Sequence, residues 1–198
     1  MKSRSLFILC TFIILFGINK FSLHKDIHRQ NENLTVVNIS GKQRMYSQRI
    51  SKLVLTYNNV NETFFSENTI KLEEILSEFS KAHQLLKSNY FEKYDDFYLK
   101  EYFGEIDMFY SNIIKNSRLL IKNQNDKTEI NKYINLTLFN TERFLPIMDK
   151  IVVRYEEIGR NRGQSILNRE LTFNIILAIL SIYAVFFVIF PLANTKRE

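Results

Sequence analysis

Residues Leu171–Leu192 read LTFNIILAILSIYAVFFVIFPL, 22 positions without a charged side chain. At about 1.5 Å per residue a helix of that length reaches about 33 Å, enough for the roughly 30 Å hydrocarbon core of a bilayer. The run predicts a membrane helix. Ser181 can return its hydroxyl to the preceding helical turn, and Asn174, near the outer end, is placed to face a partner helix.

The other end of the chain carries a shorter apolar run. Leu6–Ile18 reads LFILCTFIILFGI, preceded by Lys2 and Arg4. Thirteen residues would suit a signal peptide, but Asn19, Lys20 and Phe21 follow instead of a small-residue cleavage site. Phe21 and Leu23 extend the run, with Lys20 snorkelling to the interface. The expectation is an uncleaved anchor over 6–23. Leu9 before Cys10 is too bulky for lipoprotein processing, so Cys10 reads as an apolar membrane residue.

Lys2 and Arg4 precede the first run, and Lys196 and Arg197 follow the second. The positive-inside rule then places both tails, 1–5 and 193–198, in the cytoplasm, and 24–170 outside the inner membrane. These flanking cations account for most of the net charge of +6. The centre is nearly balanced and holds no basic tract for a phosphate backbone, which argues against nucleic acid as a partner. A single Cys excludes a disulfide framework or a Cys-rich zinc site. Five Gly and two Pro in 198 residues cannot supply the turns of a β-sandwich or barrel.

The centre reads as helices. Leu72, Ile75, Leu76, Phe79, Ala82, Leu86 and Tyr90 recur at spacings of three and four, as an amphipathic helix requires. Tyr102, Ile106, Phe109, Ile113, Ser117 and Leu120 form a second stripe. A third runs through Ile130, Ile134, Leu138, Phe144, Met148, Ile151, Tyr155 and Ile158. That helix can continue past Gly159 and Gly163 into the membrane segment, with a kink expected at Pro146. Polar breaks fall at Asn58–Asn61, Asn89–Asp96 and Lys122–Asp126. With a first helix around 34–57, the expected fold is all-α: an antiparallel four-helix bundle over 24–170, flanked by two transmembrane helices at 6–23 and 171–192.

The first helix is unusual. With about 100° per residue and Gly41 at zero, Ile39, Tyr46, Ile50, Leu53 and Tyr57 cluster near 120–180°, the expected core stripe. Val37, Arg44, Met45, Gln48 and Lys52 fall within about 60° of Gly41, on the other side. That face suits either solvent or a symmetric helix contact. In a symmetric contact Gly41 would permit close approach, and two Arg44 side chains would repel unless an anion bridged them; a planar guanidinium matches an oxyanion well.

Val37–Lys52, VNISGKQRMYSQRISK, closely resembles the first-helix motif of the NarX-like, or PilJ-type, sensor domain. Asn38, Gly41, Arg44, Met45, Ser47 and Arg49 match that pattern, and Ser40 replaces its usual Ala. Ile151–Glu156 and the run from Asn168 into Phe190–Leu192 also look like the family. The resemblance covers roughly 30–192. It implies an extracytoplasmic four-helix bundle that works as a homodimer, with nitrate or a similar small anion held at the dimer axis. Carried over, Gly41, Arg44 and Met45 are the expected ligand contacts. Val37, Gln48 and Arg49 are the expected supporting or dimer-face residues. Ligand binding in the family shifts the first and last helices along their axes. Members of the family continue past the last membrane helix into a kinase, chemoreceptor or cyclase module, whereas this chain stops six residues after Leu192. Output by a separate signalling protein is therefore expected. The rival expectations are a ligand-independent protein that docks on a receptor or envelope complex, and a truncated remnant of a sensor kinase or chemoreceptor.

Other groupings read as ordinary. His24 and His28 lie one turn apart without further ligands, so a helix surface is expected rather than a metal site. His83 falls near a core stripe and reads as a partly buried, hydrogen-bonded histidine. Glu73 and Glu74 point about 100° apart and do not form an acid/base pair. No Ser-His-Asp, Cys-His or Gly-rich phosphate arrangement occurs. Neither an enzyme nor a cofactor is expected.

Overall fold

The computed structural model describes residues 2–57, 62–91, 94–123 and 126–186. Every element among them is helical: α1 (Lys2–Thr56), α2 (Glu62–Gln84), a π-helical turn (Leu85–Phe91), α3 (Phe97–Lys122) and α4 (Lys127–Ala184). The expected break at 58–61 lies outside the described residues, as do the C-terminal run beyond 186 and its basic tail. The chain divides into two compact units, Asn33–Glu157 and the paired ends Met1–Glu32 with Ile158–Glu198.

Local chemistry sets the helix ends. Asp96 is extended and accepts the Leu99 N–H at 3.0 Å, capping α3. Asp95 before it holds a left-handed backbone, φ 42°, which Asp tolerates better than a branched residue. Asn123 closes α3, its backbone N–H and its side-chain amide both donating to the Leu119 carbonyl. Asp126 accepts the N–H groups of Thr128 and Glu129 at 2.9 and 3.2 Å, starting α4. From there α4 runs unbroken through Pro146, Gly159 and Gly163.

In the central unit the apolar stripes of α2 and α4 turn inward much as their spacing predicts. Leu72, Ile75, Leu76, Phe79, Ala82 and Leu86 are buried, as are Ile130, Ile134, Phe144, Met148, Ile151 and Tyr155. Leu99 and Phe103 join Ile106, Ile113, Ser117 and Leu120 in the α3 stripe, while Tyr102 and Phe109 stay half-exposed. Four helical segments meet at Phe79. Its ring lies 5.2 Å from Tyr110 on α3 and 5.3 Å from Phe144 on α4, and its carbonyl accepts the Gln43 amide of α1 at 2.5 Å.

The α1 core stripe differs from expectation. Ile50 and Tyr57 are buried, but Ile39, Tyr46 and Leu53 are only partly covered. The buried line is Asn33, Val36, Ser40, Gln43, Ser47, Ile50, Val54 and Tyr57, spaced alternately three and four. It lies about 70° around the helix from the apolar stripe. The reason is that small polar residues occupy its middle. Ser40 and Ser47 donate their hydroxyls to the Val36 and Arg44 carbonyls of their own helix, and Gln43 reaches α2. The two hydroxyls and the Gln43 Nε2 donor are satisfied, while Gln43 Oε1 is buried without a partner, so hydrophobicity alone misplaces the face.

The unit of paired ends is antiparallel. Arg169 pairs with Asp26, a Cβ at Gly163 would lie 3.6 Å from Gln30, and Phe12, Ile13 and Phe16 share a groove with Leu177 and Ser181. Ser181 returns its hydroxyl to the Leu177 carbonyl at 2.8 Å. The side chains of Ile175, Ile176, Ile179 and Ile182 stand largely exposed. Among the described residues one helix, α4, is long and apolar enough to cross a membrane, and none of its apolar window is buried.

Candidate functional site

The residues singled out by the sequence share one outward region of α1 in the central unit. Gly41, Arg44, Met45, Gln48 and Arg49 are exposed, and Val37 is half-buried. Gly41, Met45, Gln48 and Arg49 lie away from the buried line of Ser40, Gln43 and Ser47, whereas Val37 and Arg44 flank it, Arg44 within reach of α4. A Cβ built at Gly41 would meet nothing within 4 Å. Among the described residues, therefore, nothing approaches the Gly41 Cβ position, and the space above it is open.

Arg44 has an intramolecular counter-ion that the sequence reading missed. Its Nε lies 3.0 Å from Asp149 Oδ1 of α4, with both side chains about half exposed. The pair is close but poorly aligned, since that buried carboxylate oxygen receives no hydrogen bond. Asp149 is the only acid on α4 between Glu142 and Glu156. That isolation was the available signal, but partner choice depends on helix register, which spacing within one helix cannot supply.

Apolar side chains extend the outward face along α1. Leu34, Met45 and Leu55 are 64, 41 and 52% exposed. Leu34, Val37, Gly41 and Met45 are spaced three, four and four, and Leu55 returns to the same face ten residues later, after the polar Gln48 and Lys52.

Two other charged clusters are built between helices. Arg154 grips Asp96, with Nη2 2.7 Å from Oδ2 and Nε 3.1 Å from Oδ1, and its Nη1 bonds Glu157 at 2.9 Å. The guanidinium also stacks over Tyr98, 5.0 Å from the ring centroid. These contacts hold the Asp96 carboxyl below its usual range, the Arg154 hydrogen bond being the main cause. The cluster ties the start of α3 to α4. Nearby Tyr155 is buried, and desolvation pushes its phenol well above the usual tyrosine range.

His83 finds a partner on α3. Its Nε2 lies 3.0 Å from Asp107 Oδ1, and its ring stacks on Tyr110 at 3.7 Å, nearly parallel. Lys87 takes the other Asp107 oxygen. Burial holds His83 below the ordinary histidine range, opposed by Asp107. His28 lies 3.5 Å from Glu32 on its own helix. Among the described residues no three His, Cys, Asp or Glu side chains converge as a metal site would require.

No family model matches the chain, and no curated protein or solved structure matches it.

Proposed function

We propose that the chain is a membrane-anchored sensory input module that binds a small oxyanion, nitrate or nitrite in kind, between two copies of itself. In this reading residues 24–170 form an extracytoplasmic four-helix bundle, and 6–23 and 171–192 are inner-membrane helices with both tails in the cytoplasm. The resemblance of Val37–Lys52 to the NarX-like motif supports it. The observation that carries it is the outward face of α1: an exposed arginine beside a glycine with open space above it, on a line with Leu34, Met45 and Leu55.

Two such faces brought together would bury those apolar side chains and place the two Arg44 guanidinium groups near the axis. Their repulsion would be relieved by an anion accepting from both forks. Gly41 would let the helices approach closely, and Met45 would line the anion's apolar side. Val37, Gln48 and Arg49 would border the contact. Because α1 and α4 are each continuous over more than fifty residues, an axial shift of either near the ligand would reach its far end. In this reading the shift passes to a signalling output on the cytoplasmic side.

A titration tests this on the full chain in detergent micelles. Saturating nitrate or nitrite should raise the melting temperature; a ligand at a hundred times its Kd adds about 2.7 kcal/mol. Arg44→Ala should abolish the rise, and Gly41→Leu should dissociate the dimer. The absence of a shift with nitrate, nitrite or another small oxyanion rejects the proposal.

A second reading is favoured by the Asp149 contact. Arg44 already has a counter-ion within its own chain, so the α1 face can serve as a ligand-independent docking surface for a receptor or envelope complex. That reading expects partner capture that ignores nitrate, survives Arg44→Ala and is lost in Gly41→Leu.

A further inference from the structure

A groove of about 490 Å³ lies between α2 and α3 in the central unit, away from the Arg44 face. Lys81 stands on its α2 side, and Arg118 and Lys122 on its α3 side. Buried Leu76 and half-buried Ile121 give it an apolar lining, and Ser77 adds a hydroxyl. Glu73 is the single acidic residue in the lining.

The cations are unequally satisfied. Lys81 bonds Glu78 at 2.8 Å. Arg118 and Lys122 have no acidic partner among the described residues, and both are exposed. They sit one turn apart on the same helix face, where like charges repel. The lining thus holds three cations against one carboxylate: the two unpaired cations are both on α3, and Lys81, across the apolar strip on α2, is shared with Glu78. A concave, partly apolar site with a few charged groups at fixed positions is the usual form of a small-molecule site.

We propose that this groove binds a short aliphatic dicarboxylate. One carboxylate is taken by the Arg118 fork with Lys122 beside it, where a planar guanidinium offers two parallel donors. The other lies toward Lys81 and the Ser77 hydroxyl. The methylenes between them cover Leu76 and Ile121. A single-centre dianion can satisfy only one wall, and a monocarboxylate leaves one wall empty. Two separated charges on an apolar spacer match both walls.

Isothermal titration of the full chain in detergent micelles with succinate tests this, with butyrate and sulfate as comparison anions. Succinate should bind saturably, and butyrate and sulfate at least tenfold more weakly. Arg118→Gln and Lys81→Gln should each weaken succinate at least tenfold, with unchanged circular dichroism and melting temperature. Arg44→Ala should leave succinate binding intact, which separates this site from the α1 face. Absent succinate binding, equal binding of butyrate or sulfate, or full affinity in both groove variants overturns the proposal.

Discussion

Replacing Asp96 should reveal two separable contributions to the central unit. Its Oδ1 accepts the Leu99 N–H at 3.0 Å, and loss of such a cap costs about 1 kcal/mol. Its carboxylate also takes the Arg154 fork, with side-chain exposures of only 13% for Asp96 and 27% for Arg154. An exposed ion pair contributes up to about 1 kcal/mol, whereas breaking a buried one costs about 3–5 kcal/mol. This pair lies between those limits, and Arg154 keeps Glu157 when Asp96 is gone. We expect the ion pair to contribute about 1–2 kcal/mol. Asp96→Ala should therefore cost about 2–3 kcal/mol, and Asp96→Asn, which keeps a good capping side chain, about 1 kcal/mol less. In a chain of this size that is a fall of about 5–10 °C for the alanine variant. The assay is thermal unfolding of the full chain in detergent, followed by circular dichroism. The pH profile adds a check. With the folded carboxyl held below its unfolded value near 4, its stabilisation is complete above that value and is lost as pH falls through the folded one. Asp96→Asn should lack this acid limb. An alanine variant within about 0.5 kcal/mol of wild type, the ordinary range of surface substitutions, would refute the clamp.

Further outcomes follow from the same packing. Phe79→Ala removes the ring where four helical segments meet and should cost about 3–5 kcal/mol in thermal unfolding; a cost below about 1 kcal/mol would mean that the ring is not enclosed. His83 is buried with its folded value below the unfolded one near 6.5, so its contribution is full above that pH and lost as pH falls through the folded value. His83→Gln should flatten the melting profile between pH 7 and 5, and an unaltered slope would count against a buried neutral imidazole. Gly104→Ala places a Cβ where nothing lies within 4 Å, on an exposed helix interior, and should stabilise by about 0.5–1 kcal/mol. Asp149→Asn removes a half-exposed, poorly aligned pair and should change stability by less than about 1 kcal/mol; a loss of several kcal/mol would assign Asp149 a buried structural role.

The stripes of α2, α3 and α4 were legible because Leu, Ile and Phe mark their inner faces at helical spacing. The α1 stripe was not, because Ser40, Gln43 and Ser47 occupy core positions normally filled by apolar groups. Its outward face was nevertheless found, since Gly41, Arg44, Met45 and Gln48 do stand exposed. The contacts of His83 with Asp107, Arg154 with Asp96 and Arg44 with Asp149 were unreadable for a common reason. They join residues 24, 58 and 105 positions apart, and such pairings depend on how helices are rotated and aligned against one another. Asp96 could have been noticed as a cap before an apolar helix, but nothing local announces the arginine that also uses it.

The polar line inside α1 has a mechanical consequence. Ser40 and Ser47 bond their hydroxyls to their own helix, so those bonds would not resist an axial shift of α1. Between residues 36 and 50, among the described residues, only the Gln43 amide ties the buried line to another helix. Small side chains also leave shallow ridges, with little volume to lift out of a neighbour's grooves. Two side chains in this stretch therefore join α1 to its neighbours, Gln43 to the Phe79 carbonyl and Arg44 to Asp149, and any axial shift of α1 would have to break both.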